Sequence, residues 1–230
     1  QTKDRKYIRE YSLSPPGARV AANFRGEIVT VPAEKGDVRN LTNSTEVHDR
    51  SPIWSPDGKS IAYFSDEGGE YQLRIVPQDG KGKVVTWKLP GAGYYEFPVW
   101  SPDSRNIAYV DNSRTLWWIN VAGGVSKKVA LDHFYGPVKT LWPAWSPDSR
   151  WIAYSVSNES YIQRVFVHSI ESGKSFPVTD GLSNASDPKF DRSGKYLYFF
   201  SSTNAGPANN WFTLENEENQ VTHSIWMAVL

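Results

Sequence analysis

Pro52-Ile53-Trp54-Ser55-Pro56-Asp57 runs into Ile61-Ala62-Tyr63, and the pair of phrases then returns. It recurs as Pro98-Val99-Trp100-Ser101-Pro102-Asp103 with Ile107-Ala108-Tyr109, and as Pro143-Ala144-Trp145-Ser146-Pro147-Asp148 with Ile152-Ala153-Tyr154. A worn copy, Pro188-Lys189-Phe190-Asp191 with Leu197-Tyr198-Phe199, follows, and a weaker one, Leu13-Ser14-Pro15-Pro16-Gly17 with Val20-Ala21-Ala22, opens the chain. Self-similarity with a period of about 45 residues is the signature of a β-propeller with four strands per blade. The expected fold is therefore all-β.

Ser55-Pro56-Asp57-Gly58 has the residue preferences of a type I turn, with Ser first, Pro presetting φ second and Gly fourth. It joins a strand ending at Trp54 to a second strand, Ser60-Ile61-Ala62-Tyr63-Phe64, that is apolar on both faces. Such a strand is buried on both sides, as expected when each blade lies between neighbours. The small Ala62, Ala108 and Ala153 allow close approach, and Trp54, Trp100 and Trp145 fill the wedge between blades. Asp57, Asp103 and Asp148 cap the turns through bonds to local backbone N–H groups. Third strands are expected at 27–31, 72–76, 116–121 and 165–170, and brief polar outer strands at 39–42 and 176–179, which guard an exposed edge.

The blades fall at about 6–43, 48–88, 94–131, 140–180 and 186–230, forming one propeller domain over 1–230. The fifth departs from the pattern. A polar, Asn-rich insertion from Thr203 to His223 precedes a strand at 224–230, and the blade lacks its last strand. This points to a fragment of a larger propeller in preference to a five-bladed ring sealed by residues 6–11.

Composition narrows the function. The 230 residues carry 25 Lys and Arg against 25 Asp and Glu, with no dense basic run, so nucleic acid is not an expected partner. No apolar stretch approaches the roughly 20 residues that span a bilayer. The absence of cysteine excludes disulfides, thiolate metal sites and a cysteine nucleophile. No Gly-x-Ser-x-Gly elbow, His-Glu-x-x-His or phosphate loop occurs. Ser65-Asp66-Glu67-Gly68-Gly69-Glu70 lacks the carboxylate spacing of a calcium loop and reads as a solvated turn. His48, His133, His168 and His223 read as surface or edge-strand residues. No catalytic residue, metal or cofactor is assigned.

If the propeller handles a ligand, the place is just before the Pro-x-Trp element, where the innermost strand enters near an axial channel. Arg50, Glu96, Leu141 and Ser186 occupy equivalent positions, beside Ser51, Phe97, Trp142 and Asp187. Variation at one place in a regular repeat is what a site grafted on a scaffold shows. Arg50, Tyr94, Tyr95, Glu96, Trp142 and Asp187 are the candidate channel-mouth contacts for a peptide.

The Trp-Ser-Pro-Asp-Gly-Lys-x-Ile-Ala-Tyr phrase resembles the PD40 type of WD40-like repeat, found in TolB, in prolyl-oligopeptidase relatives and in tricorn proteases. The stretch Gly26-Glu27-Ile28-Val29-Thr30-Val31-Pro32 through Leu41-Thr42, with Glu171-Ser172-Gly173-Lys174, Val178-Thr179-Asp180-Gly181 and Phe190-Asp191-Arg192-Ser193-Gly194-Lys195, is similar to the second propeller of bacterial tricorn-protease homologues. That resemblance implies a non-catalytic propeller of a serine protease, with the peptidase core outside this chain. It implies peptides or unfolded protein segments as partners, the remaining domains of a parent chain, a homo-oligomeric parent and a cytoplasmic setting. The periplasm is the alternative. A TolB-like protein-binding propeller and the gating propeller of a prolyl-oligopeptidase-type peptidase are the competing readings.

Overall fold

Each repeat folds as one antiparallel sheet with its strands in chain order. The computed structural model describes residues 4–91, 93–133, 141–204 and 221–230. The first sheet holds β1 (Ile8–Leu13), β2 (Arg19–Phe24), β3 (Glu27–Pro32) and β4 (Arg39–Asn40). The second holds β5 (Asp49–Trp54), β6 (Ser60–Ser65), β7 (Gln72–Pro77) and β8 (Val85–Lys88). The third holds β9 (Tyr95–Trp100), β10 (Asn106–Asp111), β11 (Thr115–Asn120) and β12 (Ser126–Leu131). The fourth holds β13 (Ala144–Trp145), β14 (Trp151–Ser157), β15 (Gln163–Ser169) and β16 (Ser175–Pro177). The fifth has three strands among the described residues, β17 (Asn184–Phe190), β18 (Tyr196–Ser202) and β19 (Ser224–Val229). These are the blades of a β-propeller. Of the Asn-rich insertion, residues 205–220 lie outside the described residues.

The outer strands depart most from expectation. β4 stops at Asn40, and β16 spans 175–177 where 176–179 was expected. β12, at six residues, is not brief. Outer strands pair on one side only, so their length follows local turn chemistry more than core patterning.

The turn prediction holds at atomic detail. Gly58 N–H donates to the Ser55 carbonyl at 2.9 Å, the Ser55 hydroxyl donates to Asp57 Oδ1 at 2.7 Å, and the same oxygen accepts from Lys59 N–H at 3.0 Å. Ser101 with Asp103 and Ser146 with Asp148 repeat the arrangement. In the worn copy the two residue types trade places. Asp191 now accepts from the Ser193 and Tyr196 N–H groups, and the Ser193 hydroxyl leads the contacts that hold the Asp191 carboxyl down to about 2.

The chain divides into two units, Gln1–Asn112 with Ile119–Ser126, and Ser113–Trp118 with Lys127–Leu230. In the first, Ala21, Ile28 and Leu41 of one sheet pack on Trp54, Ile61, Tyr63 and Val76 of the next. Ala21, Ile61 and Ala62 are fully buried, because the missing side chain bulk of the alanine row admits the large residues of the neighbouring sheet. Trp100 Nε1 donates to the Ile53 carbonyl at 3.3 Å, and Trp87 Nε1 to the Val121 carbonyl at 3.0 Å. These bonds fix the wedge tryptophan and an outer-strand tryptophan to adjacent sheets.

In the second unit Ala144, Ala153 and Val165 pack on Ala185, Leu197 and Phe199. Arg114 reaches the Asp132 carboxylate at 3.2 Å, where the Asp132 side chain is wholly buried. His168 corrects the expectation of a surface or edge histidine. It is 2% exposed, on β15, a third strand covered by β16, and its Nδ1 lies 3.0 Å from the Ser175 hydroxyl directly across the ladder. Apolar alternation in Val165-Phe166-Val167-His168 carried the ring inward. His48, His133 and His223 are exposed as expected.

Burial, and then the Lys127 ammonium, push the His168 imidazole below its ordinary value of 6.5. The unfolded chain therefore binds a proton at a higher pH than the folded one. Stability is complete above the unfolded value and falls as pH drops through it toward the lowered folded value. In urea melts between pH 8 and 5, His168→Gln flattens this fall; an unchanged slope would exclude His168 as its source.

Candidate functional site

Proline dictates the geometry of the position before Pro-x-Trp. Pro52, Pro98 and Pro188 have no N–H for the ladder, so the innermost strand must break its pairing there. The break is a bulge. Pairing slips between Arg50 and Ile53, between Glu96 and Val99, and between Ser186 and Lys189. The residue ahead of each proline turns left-handed, with φ of 52° at Ser51, 51° at Phe97 and 53° at Asp187. A bulge re-aims neighbouring side chains, which is why these positions sit apart from the repeat's regular packing.

The first unit brings Arg50, Tyr94 and Tyr95 together. Arg50 is 7% exposed. Its Nη1 donates to the Tyr95 carbonyl at 2.9 Å, its guanidinium lies 4.1 Å from the Tyr94 ring centroid, and its Nη2 stands 3.6 Å from Glu10 Oε1. Glu10 also accepts from the Ser51 N–H and, at 3.0 Å, from the Ser51 hydroxyl. Three successive innermost strands are thus tied by one arginine and one glutamate. Tyr95 is buried, its hydroxyl donating to the Leu89 carbonyl at 3.0 Å, and burial raises its pKa. Arg50 and Tyr95 therefore hold the rim, and they do not present side-chain surface to solvent. Tyr94 does, at 38% exposure, with Glu96 half-buried beside it.

Sequence reasoning missed Glu10, Tyr71 and His48. Tyr71 meets Tyr94 edge-to-face at 5.6 Å, and its hydroxyl lies 2.7 Å from His48 Nδ1. A polar cleft of about 310 Å³ opens beside them, lined by Glu70, Tyr71, Gln72, Lys88 and Tyr95. His48 and Tyr71 lie in segments that vary between repeats, and Glu10 lies on β1 in the weakest copy, so periodicity carries no signal for them.

In the second unit Trp142 and Asp187 are exposed. Leu141 and Trp142 precede β13 and belong to no strand, so the fourth repeat does not reproduce the bulge of the other three. The Ser186 hydroxyl donates to Asp187 Oδ2 at 3.0 Å.

Replacing Arg50 with methionine leaves Glu10 and the Tyr95 carbonyl without their cation. The expected cost is about 2 kcal/mol, kept below that of a fully buried pair because Glu10 is partly solvated. Equilibrium urea unfolding reads it directly, with Glu10→Gln as the companion variant.

Among the described residues no group of three or more His, Asp and Glu side chains is placed to hold a metal ion, and no helix is long and apolar enough to cross a membrane. Residues 8–222 match the family model described as the tricorn protease second beta propeller domain. A crystal structure of the tricorn protease aligns over 85% of this chain and 19% of its own, with a TM-score of 0.73 at 18% identity. A TolB protein from Agrobacterium tumefaciens aligns over 97% of this chain and 77% of its own, with a TM-score of 0.60 at 17% identity. The Tol-Pal system protein TolB of Hydrogenovibrio crunogenus is 44% identical over 41 residues, 18% of this chain and 10% of that protein. The chain thus spans a fifth or less of the tricorn protease and of this curated relative.

Proposed function

As the chain belongs to the tricorn protease second β-propeller family, we propose that it is a non-catalytic propeller domain controlling peptide access to, or product exit from, a serine-peptidase core outside these 230 residues. The family match over 8–222 carries this reading. Within it residues 1–230 act as one domain, the parent is a cytoplasmic homo-oligomer, and Tyr94, Glu96, Trp142 and Asp187 meet the peptide. Arg50 and Tyr95 serve as their support. Aromatic faces suit this task, since they bind varied side chains with little conformational cost.

Titration with unstructured peptides, followed by backbone amide chemical shifts, tests the reading. Shifts at Tyr94 and Trp142 are expected, and Tyr94→Ala with Trp142→Ala weakens them about tenfold. Unmoved resonances across varied peptides, with the chain still folded, would remove the access role. A TolB-like protein-docking propeller is the second reading, favoured by the 44% identity to TolB over 41 residues. It predicts capture of a folded protein and indifference to unfolded peptides.

A further inference from the structure

Two opposite charges line one small cleft of the first unit without meeting. Glu70 and Lys88 both stand in the wall of the polar cleft of about 310 Å³ beside Tyr71, and neither side chain has an ion-pair or hydrogen-bond partner among the described residues. Elsewhere in the unit Arg50 with Glu10 and Arg74 with Glu67 do close such pairs. The backbone keeps this pair open. Glu70 follows a tight turn, closed by the Gly69 N–H donating to the Asp66 carbonyl at 2.9 Å. Its Oε2 rests 3.4 Å from the point that a Cβ on Gly93 would occupy, so the carboxylate lies against a glycine of the connection leading to β9. Lys88 is the last residue of β8 and pairs across the ladder with Gln72.

The electrostatic field of the cleft is uneven. The buried Asp111 carboxylate lies so close to Gly91 that a Cβ there would overlap it, and only glycine lets the connection rest on that carboxylate. Burial raises the Tyr95 phenol, and Asp111 and Glu70 both add to the rise. Negative potential therefore gathers around Tyr95, and the Lys88 ammonium supplies the positive charge of the same wall.

We propose that this cleft binds a small zwitterion, a dipeptide with both termini free, its ammonium on Glu70 and its carboxylate on Lys88. Its volume stands at the lower end of small-molecule sites, which suits two residues. Charge-assisted bonds at both ends distinguish free termini from the interior of a longer chain, which offers neither charge. Tyr71 supplies an aromatic wall for a side chain. The inference rests on the access reading and names short cleavage products, in preference to their precursors, as a class bound beside the same rim.

The probe is alanyl-leucine, titrated into the 230-residue chain and followed by backbone amide chemical shifts. Saturable shifts at Glu70, Gln72 and Lys88 are expected, with a Kd on the order of 1 mM because both charges are exposed. The N-acetylated and the C-amidated dipeptides bind about tenfold more weakly, each having lost one charge-assisted contact. Glu70→Gln removes the preference for the free amine and retains that for the free acid, and Lys88→Met does the converse. A merely structural role for either residue would weaken all three ligands alike and overturn the assignment. Absence of saturable shifts at the cleft, or equal binding of blocked and free dipeptides, overturns the proposal. Long unstructured peptides that move Tyr94 while alanyl-leucine leaves the cleft unmoved would sink this inference alone; silence from both removes the access reading as well.

Discussion

Gly124→Ala is expected to lower the unfolding free energy by about 3 kcal/mol, against about 1 kcal/mol for Gly173→Ala. The two glycines occupy the same place in consecutive repeats. Each donates its N–H four residues back, Gly124 to Asn120 and Gly173 to Ser169, and each has φ of 66°. The left-handed backbone penalises alanine equally at both. Their surroundings differ. A Cβ on Gly173 meets nothing within 4 Å, while one on Gly124 falls inside the van der Waals surface of the Trp87 ring. Trp87 cannot simply turn away, since its Nε1 is bonded to the Val121 carbonyl. Paired urea melts, with tryptophan fluorescence reporting the ring, check the difference of about 2 kcal/mol. Equal costs at the two sites would mean that the ring moves freely and that the contact between these sheets is loose.

Phe64→Ala is expected to cost about 4 kcal/mol, lowering Tm by roughly 10 °C. Phe64 is fully buried and lies 5.6 Å from the Tyr95 ring and 6.3 Å from Tyr109, and these two rings meet edge-to-face at 5.6 Å. Removing the central ring opens a cavity that two rings fixed by their hydroxyls cannot close. Tyr109 is bonded to Ser126 and Tyr95 to the Leu89 carbonyl. Tyr109→Phe, which deletes only a hydroxyl bond, costs about 1 kcal/mol. The ratio of the two is informative, because a Phe64→Ala cost close to that of Tyr109→Phe would show that the trio collapses into the space. Phe64→Ala also loosens the support beneath Tyr94, so its resonance should broaden while that of Trp142 stays sharp.

Glu96 stands on the bulged innermost strand, with Tyr94 just ahead of it. Asp57, Asp103 and Asp148, which form an apparent carboxylate series along the chain, are held by the serines of their own turns.

The repeat phrase alone determined the blade count, the turn type, the alanine row and the wedge tryptophans. Each is a local consequence of residue type: proline and serine shape the turn, and two-sided apolar strands must be covered on both faces. The proline that breaks the ladder lies in the same phrase, yet the bulge it makes emerged only in the structure. Only the tertiary structure decided what the residues at that bulge do. Arg50 and Tyr95 turned inward because Glu10, on the innermost strand of the preceding sheet, neutralises the guanidinium. That pairing joins residues 40 positions apart, and no periodic pattern encodes it. The burial of His168 was likewise settled by the strand paired alongside it. Local chemistry sets the form of a blade, and the contacts between blades choose which of its exposed positions remain exposed.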